Sequence, residues 1–137
     1  MSLRQTVISN TVDDISLYFK KETDRLCDTE LSMNVIPKMI IDMLREASHE
    51  TLSSIIGRLS SCCKGDIDEL VAIDITDGES CETISQFISD AAYDSVNLGQ
   101  EKDEIVFLCT SISIILFCAE ESEFYKMKSV ISNVIDA

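Results

Sequence analysis

Twenty-five carboxylates, six cysteines and one histidine are the side chains here whose chemistry could carry a function. The histidine, His49, stands in a Ser-His-Glu stretch that opens a helix, where a cap-region or surface role accounts for it. A histidine acting as general base needs a nucleophile and an orienting group beside it, and no spacing in the chain suggests such a set. The four glycines are isolated and form no G-x-S-x-G, Walker or G-x-G-x-x-G pattern. Paired carboxylates can do acid–base work, but in so acidic a chain pairs arise by chance. No enzyme activity is expected, and the chain reads as a binding protein.

The six cysteines are Cys27, Cys62, Cys63, Cys81, Cys109 and Cys118. No C-x-x-C occurs, Cys62 and Cys63 are adjacent, and Cys109 and Cys118 fall in the most apolar stretch. Free cysteine behaves as a small buried hydrophobe, and a domain of this length needs no covalent staples. Reduced structural thiols and a cytoplasmic setting are therefore expected. The run Asp74-Ile75-Thr76-Asp77-Gly78-Glu79 has oxygen donors, yet its glycine falls at the fifth position, whereas a calcium loop wants it at the sixth. Neither a metal nor another cofactor is expected.

What the carboxylates do have is a location. Residues 66–104 hold twelve acids against one base, a net of −11 out of −14 for the whole chain. The flanks are close to balanced, with nine acids and eight bases in 1–65 and four acids and two bases in 105–137. Segregated charge repels itself, and it steers partners of opposite sign. It also opposes binding to nucleic acid phosphates and to anionic lipid. The expected partner is a cationic protein, with no nucleic acid and no membrane.

Several elements must position that field. With 137 residues, 45% of them hydrophobic, but only four glycines and one proline, the chain suits one all-α domain spanning 1–137. A first helix is expected from about Leu3 to Cys27, with Ile8, Val12, Ile15, Phe19 and Leu26 on one face and a solvated face of mixed sign. Asn34 and Pro37 suit the start of a second helix. A third is expected over about 49–62, stopped by Gly65. Asp66 can cap a short helix holding Ile67, Leu70 and Val71, although 70–75 also fits a strand. Asp77-Gly78 marks a turn, and a further helix is expected from Ser80 to about Leu98.

The next helix, about 101–119, contains Ile105 to Ala119, apolar nearly all round, which predicts burial on every side. This apolar run of 15 residues is shorter than the roughly 20 a membrane span requires. A last helix is expected over about 121–135. The architecture is thus six or seven helices around a central apolar one, with a homodimer burying that helix as the alternative. No secretory leader is expected, because a basic start followed by an apolar run is missing.

The helix from Ser80 carries the sharpest functional pattern. Glu82, Gln86, Asp90 and Asp94 recur every four residues and form one stripe, with Tyr93 and Asn97 beside it. A surface serving only solubility intersperses both signs. The expected partner-binding face is therefore Asp77, Glu79, Glu82, Gln86, Asp90, Tyr93, Asp94 and Asn97, with Tyr93 as an amphipathic anchor. Such a face suits an inhibitor of the immunity or antitoxin type that occludes a basic cleft, such as that of a nuclease toxin. The alternative rests on layout. A buried central helix wrapped by amphipathic ones resembles the apoptosis-regulator folds and their viral relatives. That resemblance implies a helical adaptor or host-modulating module holding a partner helix in an apolar groove.

Overall fold

A computed structural model describes residues 2–23, 35–62, 70–97 and 101–136; within its helices, only the backbone is described for 20, 22–23, 62, 92–97 and 101–106. Among the described residues six α-helices run in chain order: α1 (Leu3–Thr23), α2 (Ile36–Arg45), α3 (His49–Cys62), α4 (Ser80–Asn97), α5 (Glu101–Cys118) and α6 (Glu121–Ile135). No strand occurs among the described residues. The all-α expectation holds. So does the central position of α5, which touches each of the other five helices, α4 and α1 most extensively.

Periodicity explains which faces turn inward. On α1, Ile8, Ile15 and Phe19 recur at intervals of seven and four and are buried, while Asp13, Asp14 and Leu17 face outward. Five residues of the ten-residue α2 are buried, Ile36, Met39, Ile40, Met43 and Leu44. Leu52, Ile55 and Leu59 from α3 meet Ile84 and Ile88 from α4 and Met127 and Ile131 from α6 in one core. Buried hydroxyls seek carbonyl acceptors. Thr11 donates to the Val7 carbonyl at 2.8 Å and Ser111 to Phe107 O at 3.0 Å within their own helices, and Ser85 of α4 reaches Pro37 O of α2 at 3.1 Å, whereas Ser89 Oγ is buried without a partner.

Two expectations need correction. The strand alternative for 70–75 fails: Leu70 and Val71 are helical, Ile73 N donates to Leu70 O at 3.3 Å, and turns follow to Glu79. With Asp74 and Asp77 each bonding backbone two residues on, this stretch favours turn geometry over a ladder. Nor is α5 buried on every side. Leu108, Ile112, Ile115 and Leu116 are buried, but Thr110 is exposed and Phe117 is 47% exposed. The stripe through Thr110, Ser113 and Phe117 lies open because the surrounding helices close over only part of the circumference. Apolar composition alone does not dictate closure.

The remaining boundary expectations, Asn34 as a cap, the α1 extension through Leu26 to Cys27, Gly65 as a stop and the Asp66 cap with Ile67, lie outside the described residues. Among the described residues no helix is long and apolar enough to cross a membrane.

Cys81, Cys109 and Cys118 are in the thiol form. Cys109 is buried, but Cys118 is only partly covered, which corrects the burial expected of it as part of the Ile105 to Ala119 run. Burial pushes the Cys118 thiol up from its ordinary value, against the pull of Arg58 and Arg4. Burial also raises Cys81, assisted by the Glu82 charge. Few thiolates are present near neutrality, so both should be poor nucleophiles. In a native alkylation time course followed by mass spectrometry, Cys81 and Cys118 should label slowly and Cys109 last. Labelling of Cys109 ahead of Cys118 would contradict the packing.

Candidate functional site

The acidic segment reaches the surface through a turn and one helix face. In the turn, Asp74 Oδ1 accepts from Thr76 N at 3.0 Å and from Thr76 Oγ1 at 2.6 Å. These two bonds, the hydroxyl first, hold the Asp74 carboxyl below its ordinary value. Asp77 Oδ1 accepts from Glu79 N at 3.0 Å, and Ser80 N closes onto Asp77 O at 3.1 Å. Asp74, Asp77 and Glu79 are all exposed. Their local bonds shape the turn and launch α4 while leaving the charge in water.

Along α4 the stripe is less uniform than its spacing suggests. Glu82 is only partly exposed, and its Oε1 lies 2.5 Å from Arg45 Nη2 at the end of α2. Its own backbone N–H, then Arg45, hold its carboxyl below the ordinary value. Arg45 is raised in return, chiefly by the hydrogen bond to Glu82. Asp42 stands 3.9 Å from the same guanidinium. Gln86 Nε2 donates to Asp90 Oδ1 at 2.8 Å, and both side chains are exposed. The stripe therefore opens with an ion pair and an amide bridge, and Asp90 is its outward carboxylate. Tyr93, Asp94 and Asn97 lie on the backbone of α4, but their side chains fall outside the described residues.

Two polar clusters escaped sequence reasoning. Glu123, buried in the first turn of α6, accepts from Glu120 N at 2.8 Å, from Thr51 Oγ1 at 2.7 Å and from Ser48 N. Ser48 in turn caps α3, its Oγ accepting from Thr51 N at 3.2 Å. One carboxylate thus ties together two helix N-termini, where negative charge is favoured. Burial pushes its pKa up, but the bonds from Glu120, Thr51 and Ser48 outweigh that and leave it lowered. The available signal was the Glu120-x-x-Glu123 spacing, an N-cap with a reciprocal glutamate.

At the opposite end of that turn, Arg4 of α1 donates to Leu116 O at 3.0 Å and to Ala119 O, the orphan carbonyls where α5 ends. Its guanidinium also lies 5.0 Å from the Phe124 ring centroid. Both clusters lock helices together.

A second surface feature follows from the open side of α5. Ile8, Ser9, Val12 and Asp13 of α1 face Ser113 and Phe117 of α5 across a groove of about 580 Å³. The Arg58 guanidinium of α3 covers the Phe117 ring from the other side, 4.8 Å from its centroid.

Among the described residues no group of three or more His, Cys, Asp or Glu is placed to hold a metal ion. A comparison with protein-family models, with curated proteins and with solved structures gives no match to this chain.

Proposed function

We propose that this chain is a non-enzymatic binding protein of the immunity or antitoxin type, using its 66–104 segment to occlude a basic partner such as a nuclease toxin. The observation that carries this reading is the exposure of Asp74, Asp77, Glu79 and Asp90, none of which is paired with a Lys or Arg among the described residues. Carboxylates so placed can take the positions that phosphates would fill in a basic cleft, and long-range attraction speeds capture. Arg45 neutralises Glu82, which moves the centre of the face toward the turn at one end and Asp90 at the other.

The test is surface-plasmon kinetics against a panel of basic nucleases, at about 0.05 M and about 0.5 M salt, where screening differs severalfold in range. Capture by at least one member should slow steeply as salt rises. Asp90→Asn combined with Asp94→Asn should lower the association rate, most at low salt, and leave folding intact, since it removes an i,i+4 repulsion of about 0.2–0.5 kcal/mol. If Tyr93 is an anchor as proposed, Tyr93→Ala should accelerate dissociation instead. Absence of salt-dependent capture across the panel would reject the reading.

One observation favours a second reading, a helical adaptor or host-modulating module. Phe117 is 47% exposed at the edge of the α1–α5 groove, where a partner's amphipathic helix could lay an apolar side chain. Binding there should respond little to salt and should be lost in Phe117→Asp.

A further inference from the structure

Helix α1 presents an outward face that is self-complementary about its own midpoint, with an acid at one end and a base at the other. Asp14, Leu17, Tyr18 and Lys21 follow one another at spacings of three, one and three, which places them on a single stripe of the helix surface. Leu17 is 62% exposed, Asp14 and Lys21 are exposed, and Tyr18 is partly covered. With Ile135 and Asp136 at the end of α6, they line a shallow concavity of about 460 Å³.

We propose that this face docks a second copy of the chain, the two α1 helices crossing antiparallel about a two-fold axis between Leu17 and Tyr18. The point midway between Leu17 and Tyr18 is also midway between Asp14 and Lys21. A two-fold there sets Asp14 of each copy opposite Lys21 of the other, while Leu17 and Tyr18 meet across the axis. An isologous interface requires this reciprocity, because every contact occurs twice with the partners exchanged.

Overall charge points to the same face. Two copies at −14 repel each other, and a dimer must form where that repulsion is least. Residues 1–65, with nine acids and eight bases, are nearly neutral, whereas 66–104 carry −11. The α1 face lies in the balanced part and offers both signs at matching distance from its centre. The groove beside Phe117 has no such self-matching pair, since its charged wall residue is Asp13 and Arg58 is engaged by the ring. A single pair of crossing helices falls below the roughly 1,200 Å² of a standard interface. The dimer is accordingly weak, with a dissociation constant on the order of 1–100 μM.

Sedimentation velocity of the full chain from about 1 to 200 μM tests this, a range chosen to bracket that constant. The parent should pass from monomer toward dimer as concentration rises. Leu17→Lys should remain monomeric throughout. Asp14→Lys and Lys21→Asp should each weaken dimerisation about tenfold or more, because each creates like-charge pairs twice over. Combining both exchanges restores opposite signs, and the double variant should recover most of the parent's affinity. Circular dichroism melts of every variant separate lost pairing from lost folding, and Phe117→Asp should leave the dimer unchanged. A parent that stays monomeric at the highest concentration overturns the proposal. So does a dimer indifferent to Leu17→Lys, or a double exchange no better than the single ones.

Discussion

Glu123→Ala should destabilise the protein by about 2–3 kcal/mol, the scale of losing hydrogen bonds to a buried charge and leaving their donors unpaired. Glu123 accepts from three donors, Glu120 N, Thr51 Oγ1 and Ser48 N, and two of those are backbone groups at helix starts that have no intrahelical acceptor. Glu123→Gln tests charge against shape. It keeps the volume, but its amide NH2 must face a donor, so it should cost nearly as much as alanine. The two variants should also differ from the parent in their acid limb. The folded Glu123 carboxyl lies below the ordinary glutamate value of 4.5. Its contribution is therefore complete above that value and fades as pH falls through the lower folded one. Chemical denaturation from pH 8 downward should show a constant gap between parent and variants to about pH 5, narrowing below that. A gap of the same size at the lowest pH where the protein stays folded would mean that the charge contributes nothing.

The contrast between Glu123 and the acidic stripe shows what the sequence could and could not disclose. Helices over 49–62, 121–135 and from Ser80 onward were legible, because apolar residues recurring every three or four positions impose a period that only one secondary structure satisfies. The acidic segment was equally legible, since net charge is a property of composition. What stayed hidden were relations across the chain. Nothing near Glu82 in sequence announces Arg45, and nothing near Arg4 announces the carbonyls of Leu116 and Ala119. Among the described carboxylates Glu123 alone is buried, yet a glutamate in the first turn of a helix reads as an ordinary solvated charge. The open stripe of α5 was missed for a related reason. A continuous apolar run states that burial is favourable, while the number of neighbouring helices and their crossing decide where it is achieved.

Incomplete closure around α5 sets the order of two truncations on that helix. Ile112→Ala and Phe117→Ala both truncate apolar side chains of α5, and by composition alone the larger Phe117 should cost more. The structure reverses the order. Ile112 has no exposed surface and sits in the central core, so its truncation leaves a cavity and should cost about 3–4 kcal/mol, within the usual range for isoleucine to alanine. Phe117 is 47% exposed, and its described partner is the Arg58 guanidinium over the ring. An exposed cation–π contact contributes about 0.5–1 kcal/mol and the covered half of the ring about 0.75–1.5 kcal/mol, so about 1–2.5 kcal/mol should be lost. Equilibrium denaturation of the two variants under one set of conditions decides the matter. A Phe117→Ala cost equal to or above that of Ile112→Ala would place Phe117 inside a closed core. It would also remove the groove on which the adaptor reading depends. The expected order leaves Phe117 available at the surface, at little cost to the fold, for a partner to cover.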